Sequence, residues 1–282
     1  MEIIGHEKQK EILSKLASSQ NIPHAILFSG PDKIGKKEIA IEFSKNLLEG
    51  DINTDFIILS PEDNIIKIEE LRSLQEKLSL KPYNHKFKIG IIDNAHLMKK
   101  DAQNAFLKTL EEPRGNSVLI LITPFPSMLL GTILSRVQEV KFSLVGREEI
   151  EKYLIKLGAK KEKAKEISLI SSGQIGKAID YFNNPEKIEI FNEAIKKISS
   201  LSRVDYYQRF NYAKEISELE NIDEIMDIWQ RYFRREMIMM ANKGESLIKI
   251  KELIKYVDKT RYLINSTNAN KRLVLENLLL RI

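Results

Sequence analysis

The sequence predicts an α/β domain with a parallel sheet, followed by parts that are helical throughout. Up to about residue 143, short apolar runs alternate with amphipathic segments, a pattern typical of parallel strands covered by helices on both faces. From Gly146 onward the helical periodicity continues and no convincing strand is found. Turn-forming residues interrupt this periodicity at "SSGQIG", "NNPEK" and "NKGES", and we place domain boundaries near residues 145 and 187.

Each predicted strand has a strand's length and turn or breaker residues nearby: "HAILFSG", "DFIILSP", "KIGIIDN" and "SVLILIT". The helical patterns between them cover Gln9 to Ser18, Lys36 to Leu48, Ile68 to Leu78 and Asp101 to Glu111. Further along, Trp229 lies in "MDIWQRYFRREMIMM", where apolar residues recur at helical spacing. We therefore expect Trp229 in a core or in a subunit interface.

Composition excludes several kinds of protein. The 282 residues suit two or three domains, and the absence of cysteine excludes disulfides and thiolate catalysis. No charged leader precedes an apolar core, and no segment approaches the ~20 continuous apolar residues that cross a bilayer, so we expect a cytoplasmic protein. The net charge of +5 arises beyond residue 145, where interspersed Lys and Glu indicate solvated helix faces rather than a basic stripe for DNA.

The stretch "GPDKIGKKE", from Gly30 to Glu38, differs by one residue from the phosphate-binding pattern G-x-x-x-x-G-K-[ST]. Gly30, Gly35 and Lys36 match, whereas Lys37 replaces the hydroxyl residue that would hold magnesium. The stretch follows a predicted strand and leads into a predicted helix, which is the setting such a loop requires. The glycines permit a tight turn with inward-pointing amides, and Lys36 adds a cation for phosphate oxygens.

In "KIGIIDNAHLM", another predicted apolar strand is followed directly by an acidic residue. Asp93 lies where a carboxylate could act on magnesium through water, but Asn94 follows where an ATPase of this layout usually has glutamate. Asparagine cannot accept a proton from the attacking water. The ammonium of Lys37 would also repel a divalent cation from the metal position. The sequence therefore predicts a nucleotide site that has lost its catalytic function.

These motifs resemble a known family. "IIGHEKQKEIL", "HAILFSGPDKIGKKEIA", "LSLKPYNHKFKIGIIDNAHLMKKDAQNAFLKTLEEPRGNSVLILIT" and "TILSR" together resemble the AAA+ core of bacterial DNA polymerase III clamp-loader subunits, in particular the delta prime family. The last fifteen residues, "NANKRLVLENLLLRI", are similar to the final helix of the clamp-loader collar. The resemblance implies an AAA+ core over residues 1–145, a small helical lid over 146–186 and a helical collar that drives oligomerisation over 187–282.

The resemblance also implies roles for single residues. It makes Gly30, Gly35 and Lys36 the phosphate loop and Asp93 the acidic end of its strand. Thr123 lies near the position of the sensor that reads the γ-phosphate, although "TPFP" departs from the family's sequence there.

Two further roles implied by the resemblance concern the lid and the subunit boundary. The lid normally carries a second sensor arginine, whereas "SGQIGKAI" offers Lys177. Ser135 and Arg136 form the Ser-Arg motif that such subunits present to a neighbouring ATPase, with Arg136 as the arginine finger. Asp101, Glu111 and Glu112, by contrast, are interpreted as exposed helix carboxylates.

The function implied is that of a non-hydrolysing clamp-loader subunit, which helps load the sliding clamp onto primed DNA. Its partners would be the ATPase subunits, a delta subunit, the clamp and, through the complex, primer-template DNA. No cofactor is required, although weak phosphate or nucleotide binding without magnesium is expected. Two alternatives stay open: a self-sufficient AAA+ ATPase and a DNA-binding adaptor.

One departure from the resembling family concerns metal. Related subunits often carry a four-cysteine zinc module between the phosphate loop and the acidic strand. This chain instead runs through "LLEGDINTDFIILSPED". We expect packing alone to hold this region together.

Overall fold

The computed structural model describes residues 3–19, 22–49, 54–62, 65–113, 115–219, 222–266 and 269–282. These residues form two compact units, Met1–Asn183 and Asn184–Ile282. The first unit contains the predicted core and all but the last three residues of the predicted lid, 146–186. The finer boundary near residue 145 stays a prediction.

The first unit is built on a five-stranded sheet in which every pair of neighbouring strands is parallel. Its strands are β1 Ala25–Ser29, β2 Phe56–Leu59, β3 Lys88–Ile92, β4 Ser117–Thr123 and β5 Gln138–Lys141. Their order across the sheet is β2-β3-β4-β1-β5, so β4 lies between β3 and β1. The predicted fold class, an α/β core followed by helical parts, is confirmed.

Helices connect the strands and continue after them. In the first unit they are α1 Glu7–Ala17, α2 Lys36–Leu47, α3 Ile68–Ser79, α4 Lys100–Glu111, α5 Gly131–Leu134, α6 Arg147–Lys156, α7 Lys161–Ile170 and α8 Ile175–Asn183. Short 3-10 turns cover Ala95–Leu97 and Pro126–Met128. The four helices predicted in the core are confirmed, with ends that differ by one or two residues.

Alternation along each strand sends side chains to two separate apolar clusters, one on each face of the sheet. On β1, Ile26 and Phe28 enter the cluster that contains residues of α1 and α2, whereas Leu27 enters the cluster that contains residues of α3 and α4. Both faces of the sheet are therefore covered, as a parallel sheet requires.

Strand β5 was not predicted. It has only four residues, and Gln138, Glu139 and Lys141 are exposed while Val140 is buried. A short edge strand with charged side chains lacks the apolar run on which the other predictions rested. Its pairing with β1 depends on the arrangement of the whole sheet.

Asp55, a buried carboxylate within the stretch that packing alone was expected to hold, binds the segment before β3, so hydrogen bonds contribute there besides packing. Asp55 accepts hydrogen bonds from the backbone amides of Tyr83 at 2.9 Å and Asn84 at 3.0 Å, and from Nδ1 of His85 at 3.0 Å. Burial raises the pKa of Asp55, but these hydrogen bonds outweigh it and lower the pKa to about 2. The carboxylate therefore fixes the segment before β3.

We expect Asp55→Asn to lower the free energy of unfolding by about 2 kcal/mol at pH 7, since the charged acceptor is lost. The folded pKa lies below the unfolded value of about 3.9, so the contribution of the carboxylate is present above pH 4 and disappears as the pH falls towards 2. Urea unfolding at pH 7 and pH 3 measures this difference. Glu76→Gln, at an exposed position on α3, is the control. An equal loss at both pH values would contradict the prediction.

The regular elements in the described part of the second unit are all helices. Its helices are α9 Glu186–Ser200, α10 Tyr206–Ser217, α11 Ile222–Asn242, α12 Ile248–Ser266 and α13 Lys271–Leu279, with a 3-10 turn at Leu201–Arg203. Trp229 is fully buried in the core of this unit, which confirms a core position. The tail match begins at Asn268, which lies outside the described residues; within α13, Leu275 belongs to the core and Leu273 is exposed.

None of the described helices combines the length and the apolar character needed to span a membrane.

Candidate functional site

The predicted phosphate-loop, acidic and sensor residues come together where three parallel strands end. The loop from Gly30 follows β1, Asp93 follows β3, and Thr123 ends β4 between them. Thr123 pairs in register with Ser29 on β1, and Ile92 on β3 pairs with Leu121. The carboxyl ends of parallel strands form one edge of a sheet, which is the usual place for a ligand in open α/β folds.

The predicted phosphate loop has the backbone conformation that only glycine adopts readily. Gly30 has a φ of 136° and Gly35, which precedes the first residue of α2, a φ of 95°. A Cβ atom at Gly30 would lie 2.3 Å from the carbonyl oxygen of Phe142, the residue that follows β5. The glycine therefore allows the loop to leave β1 against the neighbouring backbone.

Lys36 is buried at the start of α2 and points into the loop. Its Nζ donates hydrogen bonds to the carbonyl oxygens of Gly30 at 2.7 Å and Pro31 at 2.5 Å. Burial lowers the pKa of Lys36 to about 8, although nearby carboxylates, that of Asp32 first among them, act in the opposite direction. At neutral pH the side chain is mostly a cation, and it could exchange these carbonyls for phosphate oxygens.

Lys37 forms an ion pair with Asp93. Its Nζ lies 3.0 Å from Oδ2 of Asp93 and donates to Oγ of Ser60 at 3.3 Å. The pair joins the two positions that would hold magnesium in an ATPase of this layout. An ammonium in contact with the carboxylate neutralises the negative charge of Asp93 and repels a divalent cation. These residues therefore do not fit a magnesium ion.

Asn94 and Thr123 complete this edge of the sheet. Asn94 follows Asp93 directly, has a φ of 51° and precedes the 3-10 turn of Ala95–Leu97. Its amide stands where an ATPase of this layout usually has a carboxylate. Thr123 is buried, and its Oγ1 accepts a hydrogen bond from the amide of Phe125 at 3.0 Å. The sensor role of Thr123 stays a prediction.

The predicted lid contacts backbone carbonyls of the loop through one backbone amide and one side chain, which the sequence reasoning missed. The amide of Gly176 donates to the carbonyl oxygen of Lys33 at 2.7 Å, and Nε2 of Gln174 donates to the carbonyl oxygen of Asp32 at 3.0 Å. Lys177 follows in α8 and is buried. The available signal was the "SGQIG" turn, whose second glycine, Gly176, allows a close approach to the backbone of Lys33.

Arg136 lies near the amino-terminal ends of the strands, opposite the carboxyl ends that carry the phosphate loop. It follows α5 and precedes β5, whose Gln138 pairs in register with Ile26 near the start of β1. Nη1 of Arg136 donates to the carbonyl oxygen of Thr132 at 2.9 Å and to Oγ of Ser135 at 3.2 Å. Since β1 has five residues, Arg136 is about 15 Å from the end that carries the loop. The structure thus separates Arg136 and Ser135 from the other predicted site residues.

Comparisons with known proteins agree with this architecture. A family model described as "DNA polymerase III, delta subunit" matches residues 48–145. The chain is 27% identical over 252 residues to DNA polymerase III subunit delta' of Bacillus subtilis, which covers 82% of this chain and 72% of that protein. A DNA polymerase III gamma subunit-related protein of Thermotoga maritima has the same fold, with a TM-score of 0.52, 21% identity and coverage of 97% of this chain and 98% of that one. The chain is thus similar in sequence to DNA polymerase III subunits, and it shares its fold with the gamma subunit-related protein.

Other DNA polymerase III subunits match over shorter stretches. The DNA polymerase III subunit gamma of Buchnera aphidicola from Schizaphis graminum is 29% identical over 203 residues, or 64% of this chain, but the chain spans only 56% of that protein. The resemblance to DNA polymerase III subunits found in the sequence is confirmed. The roles of individual residues in this chain are not decided by these matches.

Proposed function

We propose that this chain is a non-hydrolysing, delta prime-type subunit of a DNA polymerase III clamp loader, and that it lends Arg136 to the ATP site of a neighbouring subunit. Its partners are the ATPase subunits, a delta subunit, the sliding clamp and, through the complex, primer-template DNA in the cytoplasm. The helical unit of residues 184–282 would provide assembly contacts. The observation that carries the proposal is the ion pair between Lys37 and Asp93.

The ion pair supports a non-hydrolysing role through its charge. A magnesium ion bound to ATP needs the hydroxyl that Lys37 replaces, and it also uses the Asp93 carboxylate through water. To bind there, the ion would have to displace an ammonium 3.0 Å from that carboxylate and then remain near it. Asn94 adds a second defect, since its amide cannot accept a proton from water.

The buried cation Lys36 supports a residual anion-binding function. Its Nζ already faces two loop carbonyls and remains largely protonated at pH 7, since its pKa is about 8. A phosphate group could accept from it and from loop amides without a metal ion. The chain therefore requires no cofactor, and it binds phosphate or nucleotide weakly.

The position of Arg136 supports action in trans. It lies about 15 Å from the loop of its own chain, across the length of β1. It is also partly exposed, with 36% of its side-chain area accessible to solvent. A guanidinium there could reach phosphate oxygens only if they were bound to another chain.

We expect ATP binding to the isolated wild-type chain to be weak and to gain nothing from magnesium, because Lys37 neutralises Asp93. Lys37→Thr restores the hydroxyl and frees the carboxylate, so magnesium should strengthen ATP binding to this variant by about tenfold or more, the equivalent of a single charge-assisted interaction. Titration calorimetry with and without magnesium measures both. The control is Lys45→Thr, which removes an exposed lysine at the other end of α2.

Steady-state ATPase assays on the same samples separate the proposal from its main alternative. We expect no turnover by the wild-type chain. Magnesium-dependent turnover that Lys36→Ala abolishes would show that Lys37 leaves Asp93, and it would establish a self-sufficient ATPase instead.

A further inference from the structure

Arg136 is paired within its own chain by a carboxylate that the sequence reasoning left without a role. Nη2 of Arg136 lies 2.9 Å from Oε1 of Glu111, the last residue of α4. The carbonyl of Thr132 and the hydroxyl of Ser135 accept from Nη1 on the other side. A guanidinium has five N–H donors, so these contacts use three of them.

The position of Glu111 is unfavourable for its own helix. The carboxyl end of a helix carries partial negative charge, which repels a carboxylate in the last turn. The guanidinium of Arg136 compensates this repulsion. Glu111 therefore contributes to the Arg136 contact rather than to the stability of α4 as an isolated helix.

We propose that Glu111 is a positioning residue that holds Arg136 in the free subunit and gives it up to the phosphate oxygens of a nucleotide on the neighbouring subunit. This inference rests on the proposed trans role of Arg136. The guanidinium exchanges one anionic partner for another. Its interaction with nucleotide is weakened by the free energy needed to break the ion pair between Arg136 and Glu111.

Charge and exposure make such an exchange feasible. A triphosphate that approached Arg136 would also approach the carboxylate of Glu111, and like charges repel. The two side chains have 36% and 47% of their area exposed, so water screens the pair and its opening costs little. Glu111 thus slightly raises the nucleotide concentration at which Arg136 binds the neighbouring site. Without nucleotide there, Arg136 stays paired with Glu111; with nucleotide bound, Arg136 pairs with its phosphate oxygens instead.

The test uses the assembled clamp loader that contains this chain, with ATP as the varied substrate. The quantity to follow is the part of the DNA- and clamp-stimulated ATPase rate that Arg136→Ala removes. We expect Glu111→Gln to lower the ATP concentration that gives half of this rate by about two- to fivefold, the range that an exposed ion pair allows. The maximal rate should stay within about twofold of wild type, because the chemistry at the neighbouring site is unchanged.

Two further variants make the result specific. Glu112→Gln removes the next exposed carboxylate, which is not the partner of Arg136 in the ion pair, and should behave as wild type. In the Arg136→Ala background, Glu111→Gln should have no effect. An unchanged or increased half-saturating ATP concentration, or a maximal rate as low as that of Arg136→Ala, would overturn the role of Glu111 while leaving the finger intact. An Arg136→Ala complex with the full wild-type rate would instead overturn the trans role itself.

Discussion

Arg136→Ala is expected to leave the chain folded and the clamp-loader complex assembled while it lowers the ATPase rate that DNA and the clamp stimulate. Arginine fingers contribute roughly 10³ to 10⁵ in rate at the site they serve. Only one site of the assembly would be served by this chain, so the loss in the total rate is smaller than the loss at that site. Single-turnover measurements on the complex resolve the affected site.

The chemistry of the side chain explains the size of this effect. A guanidinium remains charged at physiological pH and offers two parallel hydrogen bonds to phosphate oxygens as negative charge develops. Arg136→Lys keeps the charge without this geometry, so we expect it to restore little of the rate.

The matched control is Arg72→Ala, at an exposed position on α3. It should leave the rate unchanged. Normal assembly together with full ATPase and clamp-loading rates in Arg136→Ala would show that Arg136 is not the finger and that the proposed trans mechanism is wrong.

Gly30→Ala is expected to lower the free energy of unfolding by at least about 3 kcal/mol, since two separate costs add at this position. A side chain is strained at a φ of 136°, and the new Cβ would lie 2.3 Å from the carbonyl oxygen of Phe142. That oxygen belongs to backbone held beside β1, where the amide of Phe142 donates to the carbonyl of Ser29 at 2.8 Å. Relief of the clash would therefore disturb the end of β1 and the loop together.

Urea unfolding of the isolated chain measures this effect, with Gly131→Ala as the control. Gly131 is the first residue of α5, it does not have a positive φ, and a Cβ there would meet nothing within 4 Å. We expect the control to change the free energy of unfolding by less than about 0.5 kcal/mol. Similar values for the two variants would mean that the loop accommodates a side chain at Gly30.

Much of the first unit could be predicted from the sequence because its signals are local. Apolar runs such as "AILFS" and "KIGII" are buried on both faces, and a parallel sheet is the arrangement that buries them. The loop motif was recognisable since Gly30, Gly35 and Lys36 stand at fixed spacings between a strand and a helix. Strand β5 escaped prediction because its pairing with β1 is not encoded in an apolar run of its own.

The sequence by itself determined which segments form the alternating strands and helices of the first unit. It also marked Lys37 and Asn94 as departures from an ATPase pattern. Only the tertiary structure decided which charges meet: Lys37 with Asp93, and Arg136 with Glu111. Hydrophobic periodicity indicates which side chains of a helix or strand are buried, because burial depends on the face of that element on which a side chain lies. An ion pair depends on where two segments, distant in the chain, are brought together by the order of the strands, and no local pattern carries that information.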